Sequence, residues 1–280
     1  MSQVINDYLE ILNRDSRMSR IYLDHAATSP LVDKAREEMI HVMETVHGNP
    51  SSPHLEGREA SRLLSKYRND IASWLGAQPS QVVFTSGATE SNNMAIGSFA
   101  GSKLITSRAE HKAVLEPAAA RGNVILINPD EWGAVHRESV EAHWEDEALV
   151  SLMWVNNETG AITDVEGIAE WVKLRGGYFH TDAVQALLWK SIQFDDSPFD
   201  MMSLSAHKIG GPKGIGILLR KNSVQPRTLS LGGGQEAGWR PGTENLIGVA
   251  GFWGALTMIA DSEERESCYR VVADAFTSAV

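Results

Sequence analysis

The chain has 280 residues, 42% of them apolar and 22% charged, the make-up of a globular protein with a sizeable core in one large or two modest domains. A net charge of −11 argues against non-specific nucleic-acid binding, which requires a basic surface. The single cysteine, Cys268, rules out an intrachain disulfide and a cysteine-rich zinc site, and fits a reducing cytoplasm.

At the N-terminus, Val4, Ile5, Tyr8, Leu9 and Leu12 fall at helical spacing, which predicts a short amphipathic arm within residues 1–20. This stretch has no basic segment followed by an apolar core, so it does not read as a signal peptide. No apolar run in the sequence approaches about 18 residues, so no membrane-spanning helix and no membrane partner are expected.

Beyond residue 20, short apolar runs alternate with helical patterns. "QVVFT", "KLITS", "NVILIN", "ALVSLMWV", "YFHTD" and "MMSLS" read as strands buried on both faces. Helical stretches are expected at 55–75, 88–100, 110–120 and 165–175. The alternation predicts an α/β fold with a largely parallel sheet. "MMSLS" and "GIGILLR" are too close in sequence for a helical crossover, so that pair is expected to be antiparallel. From about Asn245 the pattern is helical, and Cys268, Tyr269, Val272, Ala275, Phe276 and Ala279 make one apolar stripe that runs to Val280. A stripe running into the last residue suggests a domain cut short here or completed by another chain.

Open α/β sheets bind ligands at the carboxyl ends of their strands. After "QVVFT", the turn "SGATESNN" leads into a helix, where the amides of Gly87, Ala88 and Thr89 would make an anion site; the plainer alternative is an ordinary capped helix. After "KLITS" comes His111, either a structural cap or an aromatic plate and acid/base beside a ligand. "NNETG" offers Asn157 as a polar contact, or an Asx turn closed by Gly160. Asp182 ends the apolar strand "YFHTD", where a carboxylate needs a cationic partner such as a protonated pyridinium, and Gln185 follows three residues later. In "SLSAHKIGGPKGIG", Ser205, His207 and Lys208 end a strand and glycines follow. Lys208 is a candidate for a Schiff base, against the plainer reading of a turn lysine. Zinc-protease, nucleophile-elbow and dinucleotide-binding motifs are absent from the sequence.

Eight stretches then occur in order: "DHAATSP", "GNPSSPH", "FTSGATESNN", "EHKAV", "VNNETG", "HTDAVQ", "SAHKIGGPKGIG" and "GGGQEAGWRPGTEN". Over residues 21 to 250 the chain resembles the cysteine desulfurases, in the class V aminotransferase group of fold-type I pyridoxal 5'-phosphate (PLP) enzymes. The resemblance implies a mostly parallel mixed sheet sandwiched by helices. The expected divisions are an arm at 1–20, a large PLP-binding domain at 21–250, and the start of an incomplete small C-terminal domain at 251–280. It implies that Lys208 carries the cofactor as a Schiff base, with His111 stacked on the ring. Asp182 would pair with the pyridinium nitrogen, Gln185 with the phenolic oxygen, and Asn157 would lie near the ring and the substrate carboxylate. Thr89, Ser205, His207 and the backbone of Ala88 would bind the phosphate. Thr243 would reach the phosphate of a partner subunit, which implies a homodimer with composite sites.

The implied reaction removes sulfur from L-cysteine to give alanine and a persulfide, which a sulfur-acceptor protein would carry into iron–sulfur cluster assembly or thiolation. In the family, the catalytic cysteine and a carboxylate-binding arginine lie at C-terminal positions that this chain does not reach. Cys268, on its apolar stripe, reads as structural. Two other readings share the fold: a PLP-dependent C–S lyase or aminotransferase, and an inactive truncated paralogue that binds a partner.

Overall fold

A computed structural model describes residues 22–259 together with Ser267, Arg270, Val271 and Asp274. The expected arm at 1–20 and the apolar stripe around Cys268 lie outside the described residues.

All seven expected strands form: β1 (Val82–Thr85), β2 (Leu104–Ser107), β3 (Val124–Ile127), β4 (Leu149–Ser151), β5 (Tyr178–Asp182), β6 (Met201–Ser205) and β7 (Gly216–Arg220). They make one sheet in the order β1-β7-β6-β5-β4-β2-β3. Strand β7 runs antiparallel to both β6 and β1, and the other pairings are parallel. The short link between β6 and β7 explains this, because a parallel pair needs a crossover of a dozen or more residues. Two expectations need correction. Strand β3 is half-buried over most of its length because it is an edge strand. Strand β4 ends at Ser151, well before the end of the apolar run, and Val155 instead makes an isolated bridge to Ile162.

The helices are α1 (Asp33–Thr45), α2 (Leu55–Trp74), α3 (Ala88–Gly97), α4 (Lys112–Arg121), α5 (Arg137–Glu141), α6 (Val165–Lys173) and α7 (Leu246–Thr257). Helix α2 starts where the His54 side chain accepts from the Gly57 amide, and it buries Ala60, Leu64, Tyr67 and Ile71, a single stripe of i, i+4, i+7 and i+11 positions. Asp164 and Asn245 cap α6 and α7 in the same way, accepting from Gly167 and Gly248.

The helices cover both faces of the sheet. One core joins α1, α2, α6 and α7 to Phe84, Val150, Phe179, Met202 and Ile217. A second, under α3 and α4, collects Val83, Leu104, Leu149, Met201 and Leu218. Adjacent strand residues divide between these two cores, as the alternation of side chains across a sheet requires. Helix α7 is buried along most of its length and packs on α1 and α2. At its crossing with α1, a β-carbon on Gly254 would lie 2.7 Å from Ala35 Cα, so this approach needs glycine. The division expected after residue 250 falls inside α7. Among the described residues, no helix is long and apolar enough to cross a membrane, and no cluster of metal-ligating side chains occurs.

Candidate functional site

The sheet register aligns the ends of five strands. Thr85 pairs with Gly216, Gly216 with Ser205, Ser203 with Asp182, His180 with Ser151, and Ser151 with Thr106. The segments after β1, β2, β4, β5 and β6 therefore leave the sheet along one edge. They carry Ala88 and Thr89, His111, Asn157, Gln185, and His207 with Lys208; Asp182 and Ser205 are the last residues of their strands.

At the β1 end, Gly87 caps α3 with φ 152°. A β-carbon on Gly216 would sit 2.6 Å from Gly87 Cα and 2.7 Å from the Leu204 carbonyl, so the two glycines let the turn lie directly on β7. A β-carbon on Gly87 itself would meet nothing within 4 Å, which marks open space before the helix. The first helical bond runs from Ser91 N to Gly87 O, so the amides of Ala88 and Thr89 precede the ladder and face that space. Burial pushes the Glu90 carboxyl up, but the bond from the Ser86 amide and the charge of Arg240 leave it below the usual carboxylate range. The contact of Arg240 Nε with Glu90 at 3.2 Å also ties the loop carrying Thr243 to α3. Thr243 itself is exposed ahead of α7.

Asp182 is 6% exposed. Its Oδ2 accepts from Asn92 Nδ2 at 2.7 Å, and its Oδ1 from the Val184 amide at 3.1 Å. Burial pushes the carboxyl up, while these two bonds and the nearby His111 and Lys208 pull it back. Two residues earlier on the same strand face lies His180, fully buried. Its ring nitrogens meet Ser151 Oγ at 2.8 Å on β4 and Ser203 Oγ at 2.9 Å on β6. Burial lowers this imidazole to about 3, so it is neutral and bridges three adjacent strands below Asp182.

Lys208 is half-buried, in a short 3-10 turn after β6. Its Nζ donates to the Ala27 carbonyl at 2.9 Å and to the Ala26 carbonyl. Gln185 Nε2 also donates to Ala26 O, at 3.0 Å. Burial lowers the Lys208 amine, opposed by Asp182 and Asp24. His207 is lowered by burial and then by Lys208 and Lys213, and its Nδ1 lies 3.1 Å from Thr28 Oγ1. The segment 26–32 is laced to this turn: Ser29 N donates to His207 O, Val32 N to Gly210 O, and Gly210 N to Ser29 Oγ. Gly210 holds φ +85°, and a β-carbon there would lie 2.4 Å from Val32 Cγ1.

His111 caps α4, with Nδ1 accepting from Ala113 N at 3.0 Å, so a neutral ring carries its proton on Nε2. Asn157 lies within an Asx turn in which Asn156 Oδ1 accepts from the Glu158 and Thr159 amides. A His111 cap and an Asx turn thus stand together at the shared edge.

Asn92, Glu110, His180 and the carbonyls of Ala26 and Ala27 were not singled out from sequence. For Asn92 a signal existed, because asparagine is a poor helix-interior residue unless its amide has work elsewhere. The carbonyls of Ala26 and Ala27 leave no such trace.

Together the edge presents an open helix N-terminus, a buried carboxylate and a lysine with a lowered amine. This set suits a ligand with an anionic group at one end and a cationic ring nitrogen at the other.

The model of the aminotransferase class-V family matches residues 21–269. The putative cysteine desulfurase IscS 1 of Bacillus subtilis (strain 168) is 41% identical over 260 residues, spanning 89% of this chain and 68% of that protein. The cysteine desulfurase IscS of Neisseria meningitidis serogroup C (strain 053442) is 38% identical over 275 residues, spanning 93% and 68%. Among solved structures, a NifS-like protein superposes with a TM-score of 0.81 at 38% identity, covering 86% of this chain and 69% of that one. SspA in complex with cysteine gives a TM-score of 0.84 at 34% identity, covering 91% and 78%.

Proposed function

The chain belongs to the aminotransferase class-V family and is cysteine desulfurase-like and PLP-dependent, and from that premise we propose how its own residues serve the reaction on L-cysteine. The observation that carries the proposal is the convergence of buried Asp182, half-buried Lys208 and the open α3 N-terminus on one sheet edge.

PLP fits this edge, since its phosphate suits the space before Gly87 and its ring nitrogen is a cation of the kind a buried carboxylate requires. Bound, PLP supplies an electron sink that weakens bonds at the α- and β-carbons of an amino acid. Ala88 and Thr89 hold the phosphate with first-turn amides and a hydroxyl, joined by Ser205 and His207. Asp182, oriented by Asn92 and Val184, keeps the ring nitrogen protonated. His111 would stack on the ring, Gln185 would pair with its phenolic oxygen, and Asn157 would lie near the ring and the substrate carboxylate. Lys208 would hold the aldehyde end, and its amine, lowered by burial, would move the proton of the substrate α-carbon once the substrate amine has displaced it.

The same reading extends to a cytoplasmic homodimer in which Thr243 reaches the partner's phosphate. A sulfur-acceptor protein would supply the thiol that takes the sulfur of L-cysteine as a persulfide while alanine is released. Residues 21–250 would form the cofactor-binding unit, with helix α7 leading out of it into a smaller unit.

The test is product analysis. Protein reconstituted with PLP is given L-cysteine and an added thiol acceptor. Alanine, with sulfur passed to the thiol, is the expected result. Pyruvate and sulfide would make the chain a lyase instead, and no product at all would favour the partner-binding reading.

A further inference from the structure

We propose that Glu110 is a positioning residue for this site, clamping the segment that carries His111 to the strand end that carries Asn157; the inference rests on the PLP reading above. The parallel ladder of β2 and β4 ends at the pairing of Thr106 with Ser151, so beyond it no sheet bonds fix the spacing of the two segments. Two side chains take over. Glu110 Oε1 accepts from the Met153 amide at 2.7 Å, and Asn156 Nδ2 donates to the Ala109 carbonyl at 3.0 Å. Both are buried, Glu110 to 6% exposure and Asn156 to 7%. His111 is the next residue after Glu110, and Asn156 forms the turn that carries Asn157. The clamp thus sets the distance between a group facing the ring and a group facing the substrate.

The chemistry of Glu110 defines what it must supply. Its Oε2 is buried and has no hydrogen-bond partner. Burial first, and then the charge of Asp182, push this carboxyl well above its ordinary value, so it keeps its proton. A neutral carboxyl and a carboxamide have nearly the same shape, and each offers one carbonyl acceptor. Reach and an acceptor are therefore required, and negative charge is not. Burial and the charge of Asp182 favour the neutral form of Glu110, while the bonds from Asn92 and Val184 and the nearby His111 and Lys208 favour the anion at Asp182.

The test compares Glu110→Gln and Glu110→Ala with the wild-type protein. Glu110→Gln is expected to keep the PLP dissociation constant within about 2-fold and to leave the visible absorbance of the bound cofactor in place. Glu110→Ala is expected to weaken PLP binding about 10-fold, shift that absorbance and lower kcat more than it raises KM. In cofactor-free protein, hydrogen exchange of the Met153 amide is expected to quicken about 10-fold in Glu110→Ala and to stay unchanged in Glu110→Gln. Glu110→Asp, which withdraws the acceptor by one methylene, is read like Glu110→Ala where the alanine variant does not fold. Unchanged binding, absorbance and Met153 exchange in the alanine or aspartate variant would overturn the proposal. So would a Glu110→Gln variant as impaired as Glu110→Ala, since charge would then be the working feature. A wild-type protein that fails to bind PLP would defeat the functional reading, while the Met153 exchange would still judge the clamp.

Discussion

Asn92 and Asp182, 90 residues apart in sequence, meet through a 2.7 Å hydrogen bond from the helix amide to the strand carboxylate. The bond joins the helix whose N-terminus opens onto the proposed anion space to the carboxylate proposed to pair with the ring nitrogen. Replacing Asn92 with Ala leaves one oxygen of a buried carboxylate unpaired. A hydrogen bond to a charged group contributes about 1.5–3 kcal/mol, so PLP affinity is expected to fall at least about 10-fold by equilibrium dialysis.

Asp182 also sets a pH dependence in the cofactor-free protein. Burial makes its carboxyl a weaker acid in the folded state, so the folded chain holds a proton there more readily than the unfolded chain. Its contribution to stability is present below the ordinary aspartate value and is lost as pH rises through the raised one. Asp182→Asn removes that loss. The melting temperature of the variant should gain on that of the wild type as pH rises from about 4 to 7. A gap independent of pH would contradict the assignment.

Gly216→Ala tests the anion turn. The added β-carbon would press on Gly87 and the Leu204 carbonyl, both backbone, which have little freedom to give. The variant should fold but lose phosphate affinity, seen as a PLP dissociation constant raised by about 10-fold or more. Normal affinity would show that the Gly87 turn does not bind the phosphate.

The loop carrying Thr243 is anchored by a buried ion pair. Arg68 Nη2 lies 2.5 Å from Glu236 Oε1, and Glu236 Oε2 also accepts from the Phe84 amide at 2.9 Å. Glu236→Ala strands both donors and should cost about 3–5 kcal/mol in urea denaturation. Glu236 and Ala237 hold φ of +49° and +55°, so Ala237→Gly should instead add about 0.5–1 kcal/mol.

His180 gives an acid-side signature. Its imidazole is lowered to about 3 by burial, so the unfolded chain takes a proton there first as pH falls below the ordinary histidine value. Stability should therefore decline over that range, and the ring should stay in its neutral form by NMR down to about pH 5. His180→Leu would orphan the hydroxyls of Ser151 and Ser203, at about 1–3 kcal/mol each.

The strands were legible because each is a short apolar run closed by polar or glycine turns, and the β6–β7 hairpin because its link is too short to cross over. Helix α1 left a weaker trace. Only Ala35 and Val42 are buried on it, while Ile40 and Met43 are exposed, so its apolar stripe is thin. The residues at strand ends were legible because chemistry-bearing types stand where an α/β sheet binds ligands. The supports behind them were not. The mid-helix place of Asn92 flags that residue but not its partner, and Glu110 and the Ala26 and Ala27 carbonyls act through contacts between distant segments that nothing local in the sequence encodes.

Lys208 is the residue proposed to carry the cofactor. Protein incubated with PLP, reduced with borohydride and digested should yield one pyridoxyl-modified peptide, the one containing Lys208. Lys208→Ala should give neither that adduct nor the visible absorbance of the bound cofactor. An adduct on another lysine, or an unmodified wild-type protein, would contradict the account.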